Sequence, residues 1–441
     1  MKSLEDMNLL IIDDSEIIRQ STRAIFMNIG LKPSNIVMAS SASRAYLECM
    51  KSKFDLFIVD FNLGEGSTGL QLLEKLYRTQ LITNDSIILV VTANNSSPVI
   101  HGFLGFDLSG ILVKPLKPEV LKKTLYACIE EKSSINQTIE IYQHKGLPHA
   151  LQSLKLVKTK KSYDLTITKL CAHIWSLGQP NVAKKLLEGY LKSNQSTTAV
   201  KLYSEVSLAQ GEIEDAGKYL HSTNNNSLAA FGQLDIEARC LLLNKEYDKA
   251  ADLLEQLYEK SPYQLLYAYA YILLLINGLV DKSRLKKALD TWLKWSKGSV
   301  WDSADNKLCI AWAILKIKDN VSHEEAKDVW QTLMKGRSVG KAEYEYVKLL
   351  DSLMSNDEKP LDYQMIENLD LNSSFEVHLV KYYLSQKHNK SDWTRFLSRI
   401  LKLDIEKEVS PLLRTVKQVI LDHIDNSVNS LVLKVSRIEN N

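Results

Sequence analysis

The chain has 441 residues, 45% of them hydrophobic and 24% charged, and a formal net charge of +2. That length predicts two or three domains, and the composition is that of an ordinary soluble globular protein. Residues 1–132 carry 14 basic and 15 acidic side chains and the remainder 41 and 38. Neither part has the concentrated positive charge that a nucleic-acid surface uses to neutralise phosphates.

Residues 8–132 alternate short apolar, β-branched runs with amphipathic stretches. Leu9–Ile12, Ile36–Ala39, Leu56–Asp60, Ile87–Thr92 and Ile111–Val113 are the expected strands. Ser15–Ile29, Leu70–Tyr77, the stretch around Pro98–Phe106 and Pro118–Lys132 are expected helices. Five such alternations predict an α/β doubly wound parallel sheet with helices on both faces. The polar segment Ser133–Thr138 reads as a hinge. From residue 139 to 441, Leu, Ala, Lys, Glu and Tyr recur at helical spacing, predicting an all-α domain. Asn224–Ser227 fits an inter-helix loop, and the basic run Lys155, Lys158, Lys160, Lys161 reads as a solvated helix end.

No apolar run is long enough to cross a bilayer. The longest, Tyr263–Val280, is interrupted by Asn277, Gly278 and its tyrosines and reads as a buried helix. The start, MKSLEDMN, lacks the apolar core of a secretory signal. Cys49, Cys128, Cys171, Cys240 and Cys309 contain no C-x-x-C pair and are expected to be reduced core residues of a cytoplasmic protein.

The strand ends carry the chemistry. Asp13-Asp14 follow the first strand, Asp60 ends the third, Thr92 ends the fourth and Lys114 follows the fifth. Strands of one parallel sheet present all of these at one rim. A carboxylate that accepts a phosphoryl group is approached by a dianion, so positive charge must gather around it. Mg²⁺, which prefers carboxylates, carbonyls and water, suits that task. Asp14 and Asp60 can ligate it directly, Asp13 can hold a metal-bound water, and the Asn62 backbone carbonyl can complete the site. Lys114 supplies a second positive charge and Thr92 a hydroxyl for the phosphoryl oxygens.

This set, an acidic pair, an acceptor Asp, a Ser/Thr and a Lys-Pro, each on the right element, resembles the receiver domain of bacterial response regulators. The resemblance implies phosphorylation of Asp60 by a histidine kinase or phosphotransfer protein, Mg²⁺ as cofactor, and a cis Lys114–Pro115 bond. It implies no enzymatic activity beyond the receiver's own Mg²⁺-dependent phosphorylation and dephosphorylation. Two positions depart from the family pattern. Gly64 stands where Pro is usual, with one extra residue before Gly69, and Ile111 stands where an aromatic is usual.

In the helical part, an alanine is followed four residues later by Leu or Trp five times: Ala183/Leu187, Ala216/Leu220, Ala250/Leu254, Ala288/Trp292 and Ala326/Trp330. The alanines are 33, 34, 38 and 38 residues apart. A period near 34 fits a helix–turn–helix unit in which a small residue lets two helices approach and a large one fills the groove between units. The clearest units span about 165–335, and the pattern fades beyond 340, with a degenerate unit around Trp393 and Ile400. This resembles the tetratricopeptide repeat (TPR) family, which implies a curved surface that binds a protein target. The scattered histidines form no metal pair or nucleophile dyad. The tryptophans Trp292, Trp295, Trp301, Trp312 and Trp330 read as inter-repeat core.

Together these expectations describe a response regulator with a receiver at 1–132, a hinge at 133–138 and a TPR-like domain at 139–441. It would have no nucleic-acid or membrane partner. A DNA-binding transcriptional regulator is the alternative, and it would need a compact basic helix-turn-helix unit. A scaffold whose receiver is never phosphorylated is a third reading, set against the complete acidic and lysine set.

Overall fold

The computed structural model describes residues 3–64, 67–83, 85–93, 97–103, 106–220, 227–281, 284–317, 374–388 and 393–439. The chain divides into two compact units, Met1–Cys240 and Leu241–Asn441.

The first unit opens with strands β1 (Leu9–Ile12), β2 (Ile36–Ala39), β3 (Leu56–Asp60), β4 (Ile87–Thr92) and β5 (Gly110–Val113). All pairings are parallel, in the order β2-β1-β3-β4-β5. Helices α1 (Glu16–Ile29), α2 (Ala42–Lys51), α3 (Gly69–Arg78), α4 (Ser97–Phe103) and α5 (Pro118–Lys145) alternate with them. β1, β3 and β4 are buried at every position, as strands covered on both faces must be. Alternate strand residues build one face of the core: Leu9, Ile11, Leu56, Ile58, Ile87, Leu89 and Val91 pack with Phe26 of α1 and with Leu121, Leu125 and Cys128 of α5. The doubly wound sheet is therefore as the sequence predicts. The chain turns to opposite sides of β1 after β1 and after β2, so the crevice between β1 and β3 is the switch point where such sheets bind ligands.

The expected hinge is not one. Residues 133–138 lie inside α5, which runs unbroken for 28 residues and ends at Gly146. The polar letters misled because two residues face inward one turn apart: Ile135 and Thr138 are buried. Ser134 satisfies its hydroxyl on the Glu130 carbonyl within the helix. No Gly or Pro interrupts the helix before Gly146.

Beyond α5 the described residues are helical: α6 (Leu147–Ser153), α7 (Lys160–Ser176), α8 (Pro180–Leu191), α9 (Thr197–Ala209), α10 (Ile213–Gly217) and α11 (Ser227–Leu243). α5 packs on both α6 and α7. From α7 to α10 each helix packs on the next, with α7 also against α9. Their core holds Leu154, Leu170, Ile174, Ala183, Leu187, Tyr203, Ala216, Leu220 and Ile236. The expected loop at 224–227 falls largely outside the described residues.

The second unit continues with α12 (Tyr247–Lys260), α13 (Leu265–Ile276), α14 (Leu285–Trp295), α15 (Ala304–Ile317), α16 (Phe375–His388), α17 (Trp393–Ile400) and α18 (Pro411–Glu439). The apolar run expected as a buried helix forms α13, in which every residue but Leu266 is buried. α12, α14, α15 and α18 pack around it. No helix among the described residues is long and apolar enough to cross a membrane.

A regularity in the turns accompanies the alanines. Gly178, Gly211, Lys245 and Gly278 have positive φ (76°, 76°, 64° and 72°). Each follows a helix within two residues and precedes the next, and they stand 33, 34 and 33 residues apart. A left-handed residue just past a helix end lets its N–H reach back to the last turn's carbonyls. Ala183, Ala216, Ala250 and Ala288 are fully buried, and so are or nearly so Leu187, Leu220, Leu254 and Trp292. The extra residues before Ala288 fall between Gly278 and α14. Ala326 and Trp330 lie outside the described residues, as does most of the segment from 340.

Candidate functional site

The site is built at the carboxyl ends of the strands. Ile12 is the register partner of Val59, which places Asp13 beside Asp60. Asp60 in turn pairs with Val91, so Thr92 stands one step further on the neighbouring strand and pairs with Val113. The Lys114 N–H donates to the Thr92 carbonyl at 2.9 Å, fixing where the lysine leaves β5. The Lys114–Pro115 peptide is cis, as the resemblance implied.

Asp13 and Asp60 are 3% and 4% exposed, while Asp14 is open to solvent. Their carboxylate oxygens lie within 4.8 Å of one another. The Lys114 ammonium bridges the two buried carboxylates, donating to Asp13 Oδ2 and Asp60 Oδ2 at 2.8 Å each. Burial pushes the Asp60 carboxyl above the usual carboxylate range; Lys114 opposes this, Asp13 adds to it, and the Asn62 N–H opposes it. Burial works against the Lys114 ammonium, but its bonds to Asp13 and Asp60 hold it above the ordinary lysine value. Two carboxylates share one cation, so the cluster has an unspent negative charge even before Asp14 is counted. Three hard oxygen donors converging beside that charge suit a small divalent cation.

The supporting residues explain how the acids are aimed. Asp13 Oδ1 accepts from the Ser15 N–H at 2.9 Å at the start of α1. Arg19, one turn later, donates to the carbonyls of Asp13 and Asp14 at 2.7 and 3.0 Å and so pins the backbone that carries both acids. α3 is started by a reciprocal cap, in which Thr68 Oγ1 accepts from the Gln71 N–H and Gln71 Oε1 from the Thr68 N–H. Gly69 follows directly. A Cβ there would sit 2.0 Å from the Asp60 carbonyl oxygen, so only glycine lets α3 begin against the end of β3. Gly64 has φ +73° and lies over Asp14, where a Cβ would come within 3.2 Å of Oδ2. Proline, locked near φ −65°, cannot take the conformation that Gly64 has here.

Every expected site residue among Asp13, Asp14, Asp60, Thr92 and Lys114 thus comes to one rim. Asn62 is placed beside Asp60 by its N–H. Ile111 is 36% exposed on β5. Arg19, Gly69 and the pair Phe61–Phe103 were not singled out from sequence. Phe61 directly follows Asp60 and meets Phe103 of α4 edge to face, 5.9 Å between ring centres. The pattern D-F after a strand held part of that signal, but its partner could not be read without the fold. A mainly apolar cavity of about 660 Å³ opens beside the acids, between Ile18, Thr22 and Ile25 of α1 and Pro115 and Leu116.

Residues 9–126 match the family model of the response regulator receiver domain. No curated protein matches the chain. Similar solved structures include the Vibrio cholerae chemotaxis protein CheY4, with 27% identity over 28% of this chain and 98% of that one, at a TM-score of 0.26. A CheY-like receiver domain protein from Methanospirillum hungatei JF-1 has 23% identity over 29% and 96%, at 0.26. A sensor protein from Polaromonas sp. JS666 has 26% identity over 29% and 98%, at 0.25. On the family match, with the sheet order and the acidic rim in agreement with it, residues 9–126 of this chain are a response regulator receiver domain.

Proposed function

We propose that the chain is the response regulator of a phosphorelay, that Asp60 is its phosphoacceptor, and that its helical part is a TPR-like array whose binding of a protein target responds to Asp60. The observation that carries the reading is the buried Asp60 carboxylate at the strand rim, bridged to Asp13 by the Lys114 ammonium. A histidine kinase or phosphotransfer protein would present a phosphohistidine. With a proton on the other ring nitrogen of that phosphohistidine, an Asp60 oxygen would form the new P–O bond as the N–P bond breaks and its electron pair stays on the ring, leaving a neutral imidazole on the donor and an acyl phosphate on Asp60. Asp13, Asp14, Asp60 and the Asn62 carbonyl would hold Mg²⁺, which when bound screens the carboxylates from the incoming dianion. Lys114 would turn its ammonium to the phosphoryl oxygens, and Thr92 would donate its hydroxyl to one of them. Positioning and charge stabilisation are all that phosphoryl transfer asks of a protein.

Support for the repeat reading is the register of its small residues. The buried alanines 183, 216 and 250 each stand five residues after a left-handed turn residue. Turn and packing positions that keep step in this way are what a stacked helix–turn–helix array needs.

Capture of protein partners by the full-length chain from native lysate tests the whole reading. The set of captured proteins should change when acetyl phosphate and Mg²⁺ are added. With Asp60→Asn it should be the same with and without them. A set that never changes in the wild type would remove Asp60 from control of binding.

A further inference from the structure

The three acids of the rim are aimed in different ways. Asp13 accepts from the Ser15 N–H and from Lys114, and Asp60 from Lys114 and the Asn62 N–H. The exposed Asp14 carboxylate has no hydrogen-bond or ion-pair partner among the described residues. It nevertheless offers an oxygen within 4.8 Å of those of Asp13 and Asp60. Consecutive residues of an extended strand face opposite ways, so Asp13 and Asp14 could not both reach Asp60 if β1 simply ran on. The chain bends at this point, and something must hold the bend.

Arg19 of α1 does so. A single nitrogen, Nη1, donates to both carbonyls, that of Asp13 at 2.7 Å and that of Asp14 at 3.0 Å. Two successive carbonyls that meet one donor do not belong to an extended chain, so the two bonds fix the turn that brings Asp14 round beside Asp60. Arg19 makes no ion pair among the described residues, and these main-chain bonds are its polar contacts there. Gly64 acts on the Asp14 side chain itself. At φ +73° it lies against the carboxylate, where an added Cβ would stand 3.2 Å from Oδ2 and 3.6 Å from the Asp14 Cβ. Glycine thus closes one side of Asp14 at an approach no larger residue allows. A carboxylate aimed by backbone and contact keeps its lone pairs for a cation, whereas Asp13 and Asp60 each spend an oxygen on Lys114.

We infer that Arg19 and Gly64 are positioning residues for the metal, and that both act through Asp14: Arg19 by fixing its backbone, Gly64 by limiting the swing of its carboxylate. This rests on the acidic rim holding Mg²⁺, and adds to it two residues that are not themselves ligands. For Arg19 the competing account is plain electrostatics, and it has the opposite sign. A fixed cation near the rim repels Mg²⁺, so its removal would raise the affinity. Loss of the two positioning bonds lowers it.

The test is the Mg²⁺ affinity of the full-length chain, read from the return of the free Mn²⁺ EPR signal as Mg²⁺ displaces bound Mn²⁺. Arg19→Gln, Arg19→Lys and Gly64→Ala are each measured alone and together with Asp14→Ala. Arg19→Gln and Gly64→Ala should each weaken binding by roughly three- to tenfold, at or under the usual cost of a lost supporting contact in a metal site. Arg19→Lys keeps the charge and can reach one carbonyl, so it should fall between Arg19→Gln and wild type. With Asp14→Ala already present, none of the three should weaken binding further, because all act through that one side chain. Urea unfolding without divalent cations shows which variants fold; if Arg19→Gln does not, Arg19→Lys carries the same sign and decides. Binding as tight as wild type or tighter in the folded Arg19 or Gly64 variants overturns the inference, as does the same loss in the Asp14→Ala background. Either result leaves the metal site standing as long as Asp14→Ala alone binds more weakly. A wild type that binds neither ion overturns the metal reading and the inference with it.

Discussion

The receiver rim and the helical array are stabilised by opposite means. At the rim, two buried carboxylates share one ammonium, with the exposed Asp14 beside them, at a cost in burial and repulsion, and the raised Asp60 carboxyl is the sign of it. In the helical part, Ala183, Ala216, Ala250 and Ala288 have no exposed surface and carry no charge. The rim sacrifices stability for chemistry, and each of its positions needs one particular functional group. The array needs only a size at each position. That contrast sets what a substitution does in each region, and it can be broken or sharpened by measurement.

The largest effect should come from Lys114→Ala. It leaves Asp13 and Asp60 buried side by side without their shared cation. Stripping one partner from a buried ion pair costs about 3 kcal/mol. Urea unfolding of the receiver without divalent cations should show a loss of that order, partly recovered on adding Mg²⁺. A loss no greater than that of an exposed pair would mean that the rim is not under this electrostatic load.

In the array, Ala250→Leu forces a larger side chain between packed helices, at a cost of about 1–3 kcal/mol. The loss should appear in the unfolding of the helical part while beryllofluoride binding to the receiver is preserved. Tolerance of leucine there would mean that the buried alanines are not the spacing element.

Asp14→Ala removes an exposed acid that forms no ion pair among the described residues, so the fold should keep its stability. Mg²⁺ affinity should fall at least tenfold, about 1.4 kcal/mol. Equal affinity would take Asp14 out of the metal set.

The smallest effect is one of pH. The Asp60 carboxyl holds its proton to higher pH in the folded chain than in the unfolded one. As pH rises from the ordinary carboxylate value, about 3.9, toward the folded value, the unfolded chain loses this proton first and stability falls. Asn at this position does not titrate. Without Mg²⁺, the stability of Asp60→Asn relative to wild type should therefore grow between about pH 4 and pH 7. A constant or shrinking difference would mean that Asp60 is not held at a cost.

The same contrast decided what could be read from the sequence. Asp13, Asp14, Asp60, Thr92 and Lys114 are legible because a chemistry fixes each residue type and the strand ends fix its place. The five strands are legible because β-branched runs buried on both faces leave an unbroken apolar signature. The segment 133–138 was not, because a helix exposed on most sides reads as polar whether or not it continues through. The second period in the array, Gly178, Gly211, Lys245 and Gly278, was hidden by the lysine in the third turn. A left-handed turn prefers glycine without requiring it. Phe61 with Phe103, and Asp107 with Lys169, join residues 42 and 62 positions apart, and only the fold brings them together.

The most direct test of the account is the intact mass of the full-length chain after incubation with acetyl phosphate and Mg²⁺. Wild type should gain a single phosphoryl group, lost again on hydroxylamine treatment as an acyl phosphate would be, and Asp60→Asn should gain none. Equal labelling of the Asn variant, or no labelling of wild type while Mg²⁺ binds, would contradict Asp60 as the acceptor around which the rim is built.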